Sequence, residues 1–102
     1  MAESLSIRAV VYRDRGWWVA QCLELDLGAS AKTREALPQK LASVLRVQIL
    51  ADLDCGKRPF QDLPKAPKRF WDMHANGTPI QVIELTDPAL DCPAEIALAA
   101  AA

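Results

Sequence analysis

Two apolar segments joined by a short polar loop constrain this chain more than any other feature. Residues 5–12 carry an apolar side chain at every second position, and residues 17–25 form a second, largely apolar segment. The loop between them spans 13–16 and ends in Gly16, which tolerates a positive φ angle. Alternation on both sides of such a loop predicts an antiparallel β-hairpin.

The expected hairpin pairs Val11 with Trp18, and its two faces then differ. One face is apolar throughout and contains several small residues: Ile7, Ala9, Val11, Trp18, Ala20 and Cys22. The other face is mixed, and a single helix cannot cover both. We therefore expect either another copy of the chain or solvent at the second face. The predicted partner contacts on it are Tyr12, Trp17 and Val19.

Thr33 is the predicted N-cap of a long helix over residues 33–54, which Gly56 ends. Apolar side chains at helical spacing define the stripe that should face the sheet. They are Leu37, Leu41, Val44, Leu45 and Ile49. A wider apolar surface near the end of this helix indicates a second structural contact.

Weaker patterns complete the fold. Residues 27–31 and 79–86 are predicted strands, and 67–75 is a predicted short helix that Asn76-Gly77 ends. The fold class is therefore α+β in the order β-β-β-α-β: a mostly antiparallel sheet, one main helix on one face, and a short second helix before the last strand. The domain should span residues 1–87, followed by a weakly ordered, alanine-rich tail over 88–102.

Length and composition limit the function classes. A chain of 102 residues predicts one domain. Its 12 basic and 13 acidic residues nearly cancel, which gives no global field for nucleic acid and little repulsion between copies. We therefore expect a homo-oligomer. Three widely spaced cysteines do not form a disulfide framework, and no long apolar segment predicts a membrane span, so the expected location is the cytoplasm.

Catalytic chemistry has little support in this sequence. His74 is the only histidine, and its place among aromatic residues favours packing. Glu24 and Asp26 would share one strand face and could hold a hard metal ion, but acidic residues at a strand end are usually solvated. A metal-dependent nuclease is the least favoured hypothesis. We predict a protein that is not an enzyme, with no catalytic residue, metal or cofactor.

One local feature suggests RNA as an alternative partner. Residues 57–71, hereafter the basic segment, interleave positive charges with aromatic side chains. Charge combined with base stacking is how single-stranded nucleic acid is often bound. The predicted RNA contacts are Lys57, Arg58, Lys68, Arg69 and Trp71. Anchoring of a loop by its aromatic residues is the simpler interpretation.

Three motifs in the first half resemble the HicB family of antitoxins. They are GWWVA at 16–20, CLELD at 22–26 and TREAL at 33–37. These are similar to the family's glycine-aromatic strand, its acidic and apolar segment, and its threonine-capped helix with Glu-Ala. The resemblance covers roughly residues 5–53, and the remainder is similar to uncharacterised stand-alone bacterial proteins of this type.

The resemblance implies a partial double-stranded-RNA-binding-like or RNase H-like fold and membership of a toxin-antitoxin system. Such antitoxins bind a small RNA-cleaving toxin and form dimers or larger assemblies. They usually add a C-terminal DNA-binding domain. Here only about fifteen residues follow the predicted fourth strand, and Ala31-Lys32 replaces the usual glycine before the capping threonine. DNA binding is therefore not expected, whereas a small toxin-like partner is.

Overall fold

The computed structural model describes residues 5–90 and 92–101 and confirms an α+β fold. A sheet of five described strands packs against one main helix and one short helix. In chain order the elements are β1 (Leu5–Asp14), β2 (Trp17–Cys22), β3 (Gly28–Ala31), a 3-10 turn (Arg34–Ala36), α1 (Leu37–Asp54), α2 (Lys68–Ala75), β4 (Thr78–Leu85) and β5 (Ala94–Ala100).

The strand order is β3-β2-β1-β5-β4, and every neighbouring pair is antiparallel except β1 and β5. The expectation of a weakly ordered tail is wrong for β5, which lies in the interior of the sheet. Ala94, Ile96 and Leu98 turn their side chains into the main core. Backbone pairing with β1 on one side and β4 on the other fixes the strand, so its order comes from tertiary contacts that local sequence does not reveal.

The hairpin register differs from the expected one by two residues. Val11 pairs with Ala20 instead of Trp18, and Asp14 pairs with Trp17. The connection is therefore a two-residue turn, Arg15 at φ 52° and Gly16 at φ 84°. Two positive φ angles suit the twist of a tight hairpin. Because side chains alternate with period two, a shift of two residues leaves the predicted faces unchanged.

Helix α1 begins later than predicted, because a 3-10 turn separates it from Thr33. The Thr33 side chain makes no capping hydrogen bond, although its backbone is extended as at an N-cap. Pro38 lies in the first turn of α1, where its missing N–H has no helical partner in any case. The predicted stripe faces the sheet: four of its five side chains are buried, and Val44 is half-buried.

The second face of the sheet is covered in part by the chain itself. Phe70 of α2 and Ala66 from the preceding loop pack on Val10 and Leu23, forming a second, smaller core. The Ala66 backbone N–H donates to the Leu23 carbonyl at 2.9 Å, which fixes the loop to the sheet. No second copy is therefore needed above Val10, and the expectation of an outside cover is wrong for that part.

A buried carboxylate holds the loop that follows α1. Asp52 Oδ2 accepts a hydrogen bond of 2.7 Å from the Phe60 backbone N–H, and its Oδ1 accepts one of 2.9 Å from Gln48 Nε2. Phe60 adopts a positive φ of 65° and buries its ring in the main core. Asp52 thus stabilises an unfavourable backbone conformation in the loop that leads from α1 toward Ala66 and the cover of the second face.

Candidate binding surfaces

The three predicted partner contacts lie on the same face of the sheet but differ in accessibility. Val19 pairs with Tyr12 on one side and with Ser30 of β3 on the other. The Tyr12 ring already packs against Phe70, with centroids 6.0 Å apart, and burial raises the pKa of its phenol. Val19 is half-buried, whereas Trp17 is 41% exposed beside a shallow depression. Their role as partner contacts stays a prediction.

The basic segment presents less open charge than its sequence predicts. Lys57 pairs with Asp62 at 2.9 Å, and the hydrogen bond with that carboxylate raises the pKa of Lys57. Lys68 pairs with Asp72 one helical turn away, at 3.0 Å. Arg58 is exposed, and its backbone N–H donates to the Gln61 side chain at 3.0 Å.

The aromatic members of the basic segment also have partners within the fold. The Arg69 guanidinium lies 4.6 Å from the centroid of the Phe70 ring. Trp71 Nε1 donates to the Ala66 carbonyl at 3.1 Å, and the Arg8 guanidinium covers its ring at 4.8 Å from the centroid. These contacts match the simpler interpretation, in which the aromatic side chains hold a loop on the sheet.

The carboxylates considered for a metal site accept hydrogen bonds from neighbouring groups of the protein. Glu24 accepts hydrogen bonds from the backbone N–H and the Nε of Arg8, both at 2.7 Å. Asp26 accepts one of 3.0 Å from Gln21 Nε2. Strand β2 ends at Cys22, so the expected shared strand face of Glu24 and Asp26 is wrong. Within residues 5–90 and 92–101, no group of three or more His, Cys, Asp or Glu could hold a metal ion.

Cys22 is a buried thiol in the main core. Its burial, followed by the nearby Glu24 charge, raises the pKa of the thiol to about 12. Because its pKa is so high, the thiol stays protonated near neutral pH and is a poor nucleophile. Cys22 therefore acts as a small apolar core residue.

A cluster of positive charge and tryptophan forms where the hairpin ends, a site that the sequence analysis missed. The hairpin-end cluster consists of Arg13, Arg15, Lys32 and Arg34 with Trp17 and Trp18, whose rings lie on opposite faces of β2. The Lys32 ammonium lies 4.1 Å from the centroid of a Trp17 ring. The guanidinium groups of Arg13 and Arg34 lie 5.3 Å and 6.0 Å from that of Trp18.

Strand pairing brings the hairpin-end cluster together from distant sequence positions. Trp18 is paired with Arg13 on β1 and with Ala31 on β3. Lys32 and Arg34 come just after Ala31 in the chain and so arrive beside the two tryptophans. Pairing the third predicted strand with the second in register is the signal that could have revealed this cluster from the sequence.

A second exposed feature lies on the outer side of α1, and we call it the α1 outer stripe. Val47 is 67% exposed, Leu50 66% and Leu53 46%. Their spacing of three residues keeps them on neighbouring positions of the helix surface, away from the buried stripe. A shallow depression lies beside Leu50 and Leu53, bordered by Ala51 and Asp54.

No helix among the described residues is long and apolar enough to cross a membrane. Comparisons of the chain with protein-family models, curated proteins and solved structures found no match. The resemblance to HicB antitoxins therefore depends on the three motifs of the first half alone. The function has to be inferred from the exposed surfaces of the protein and the chemistry of their side chains.

Proposed function

We propose that the chain is a non-enzymatic, HicB-like protein-binding module that self-associates through the α1 outer stripe. The observation that carries this proposal is the exposure of Val47, Leu50 and Leu53 on one side of a helix whose other side is buried. Removing such apolar surface from water is the main driving force of protein association. A contiguous exposed apolar patch is typical of an interaction site.

The charges that flank the α1 outer stripe favour a second copy of the chain as its occupant. Arg46 and Asp54 are both exposed, and each lies four residues from Leu50, in opposite directions along α1. If two copies pack antiparallel about a two-fold axis at Leu50, Val47 faces Leu53 of the other copy. The same arrangement places Arg46 beside the opposing Asp54. A two-fold interface requires such self-complementarity.

Light scattering of Leu50→Glu tests the interface. The wild-type chain should form a dimer at micromolar concentration, and Leu50→Glu should be a folded monomer because two carboxylates would meet at the axis. The matched control is Val82→Glu, since Val82 on β4 is 64% exposed and lies elsewhere. A monomeric wild-type chain at high concentration, or a dimer that survives Leu50→Glu, would contradict self-association at this stripe.

A charge exchange tests the antiparallel arrangement itself. Arg46→Asp alone should weaken the dimer, because it places an acidic side chain beside the opposing Asp54. Adding Asp54→Arg should restore the dimer by exchanging the two charges. Loss of the dimer in the double variant as well would contradict this arrangement and favour a different packing of the same apolar side chains.

The resemblance to HicB antitoxins adds a second partner, a small toxin-like protein that the module neutralises. Tyr12, Trp17 and Val19 are the proposed contacts for it. Co-expression with the product of a neighbouring small reading frame, followed by co-purification, is the direct experiment. A cytoplasmic location belongs to the same proposal, and the free thiols of Cys22, Cys55 and Cys92 suit a reducing compartment.

RNA binding by the basic segment is the alternative function. It has weaker support, because the positive charges of Lys57 and Lys68 are paired with neighbouring carboxylates, and Trp71 is half-buried with its Nε1 donating to the Ala66 carbonyl. A salt-dependent gel shift that is lost in a Lys57→Gln/Lys68→Gln variant would favour it over the protein-binding module.

A further inference from the structure

We propose that the hairpin-end cluster is a binding site for single-stranded nucleic acid. It differs from the α1 outer stripe in both location and chemistry, and it shares Trp17 with the proposed toxin contacts, so the two ligands would compete for that side chain. The cluster wraps around the end of the sheet, because Trp17 and Trp18 face opposite sides of β2. The exposed indole of Trp17 and Lys32 lie on one side, and Arg13 and Arg34 lie against Trp18 on the other. Stacking of bases on aromatic rings within a positively charged surface is how single strands are bound without sequence preference.

Trp17 supplies the stacking surface. Its indole lies at the end of the sheet and remains 41% exposed, with the Lys32 ammonium 4.1 Å from a ring centroid. The adjoining depression is lined by Asp14, Arg15, Val19 and Ser30, so one carboxylate borders it beside the cation. A base that stacks on Trp17 would place its phosphate within reach of Lys32 and Arg15.

Trp18 has a different role, because it is half-buried against the main core. Its ring holds the guanidinium groups of Arg13 and Arg34, at 5.3 Å and 6.0 Å from the centroid. An arginine positioned in advance loses less conformational entropy when it contacts a phosphate. The two arginines therefore offer a second phosphate-binding position on the opposite face of the sheet, which a single strand reaches by passing around the end of the sheet.

The local charge favours an anionic ligand over a second copy of the chain. The four cations of the cluster are accompanied by two neighbouring carboxylates, Asp14 and Glu35. A two-fold contact at this surface would bring the cations of two copies together, which is unfavourable. Nucleic acid is preferred over an acidic polypeptide because acidic side chains supply charge but no aromatic surface for the exposed Trp17.

Fluorescence anisotropy with a labelled, mixed-sequence single-stranded RNA of about 12 nucleotides tests the proposal. Arg13→Gln/Arg34→Gln should weaken binding roughly tenfold at low salt and reduce the slope of log K against log salt by about 1.4, or about 0.7 for each lost phosphate contact. The charge-matched control is Lys57→Gln/Lys68→Gln in the basic segment, which should bind as the wild type does.

Substitutions of Trp17 separate stacking from charge. Trp17→Ala should weaken binding roughly tenfold, whereas Trp17→Phe should retain most of it, and circular dichroism should show both variants folded. Absence of binding at low salt would overturn the proposal. So would a greater loss in the basic-segment control than in Arg13→Gln/Arg34→Gln, or equal displacement of the RNA by polyglutamate. The Leu50→Glu variant keeps the hairpin-end cluster and should still bind one RNA per chain. The RNA test is therefore independent of whether the chain forms a dimer.

Discussion

At the scale of single residues, Arg15 occupies a turn position that disfavours arginine, while its charge contributes to the hairpin-end cluster. Its φ of 52° lies in the left-handed region, where residues with a Cβ are disfavoured and Asn or Gly is preferred in two-residue hairpin turns. The sequence predicted a hairpin with Gly16 at positive φ but assigned four residues to the loop. Side-chain alternation cannot distinguish registers two residues apart, because both give the same faces.

Arg15→Asn should therefore raise the free energy of unfolding by about 0.5 to 1 kcal/mol while weakening nucleic-acid binding. Urea denaturation and the anisotropy assay measure the two effects. Arg15→Gln is the control, because it removes the same charge without easing the positive φ. It should weaken binding equally and leave stability unchanged. Equal stabilisation by Gln would show that the turn conformation is not the cause.

Cys22 should make stability depend on alkaline pH. Its pKa is raised to about 12 in the folded chain from 9.0 in the absence of the fold. The folded state therefore keeps a proton that the unfolded state loses, and the stabilisation present below pH 9 disappears progressively as pH rises toward 12. The slope should approach about 1.4 kcal/mol per pH unit within that window. Urea titrations of wild type and Cys22→Ala across it should differ in slope; parallel curves would contradict the assignment.

At the scale of secondary-structure elements, α1 was the most predictable part of the chain, because its apolar spacing is regular over several turns. Gln48 is a polar, half-buried residue next to that apolar stripe. The structure explains it, since Gln48 donates to Asp52, and Asp52 in turn accepts from the Phe60 backbone eight residues later. A side chain whose partner is a loop amide leaves no periodic signal in the sequence.

Asp52→Ala should lower the free energy of unfolding by about 2 to 3 kcal/mol, because it leaves the buried Phe60 N–H without an acceptor and its positive φ unsupported. Asp62→Ala is the control. It removes an exposed carboxylate from the same loop and should cost less than about 1 kcal/mol. Urea denaturation of both variants gives the comparison, and similar losses would mean that Asp52 acts only through the net charge of the loop.

At the scale of the whole molecule, the α+β class and the helix-facing side of the sheet followed from alternation and helical spacing. The position of β5 did not. Its residues are mostly alanine, which favours helices in isolation, and its partners β1 and β4 differ greatly in their distance along the chain. The hairpin-end cluster escaped prediction for a related reason, since it requires the pairing of β2 with β3.

Leu98 tests how much the interior strand contributes. Leu98→Ala should cost about 2 to 5 kcal/mol, because its side chain is buried in the main core between β1 and β4. Val82→Ala on the neighbouring strand is the control, and its exposed side chain should make the cost less than about 0.5 kcal/mol. A small loss at Leu98 would show that β5 adds little to the cooperative unit.

The interior place of β5 also bears on biosynthesis. During synthesis, β4 emerges before β5 does. Until β5 has been made, β4 has no strand partner and is not part of the sheet that β1, β2 and β3 can form. Among the described strands β4 pairs with β5 alone, so removal of residues 94–100 would leave β4 without a strand partner. A truncation within this short segment would therefore divide the sheet, although it spares four of the five strands.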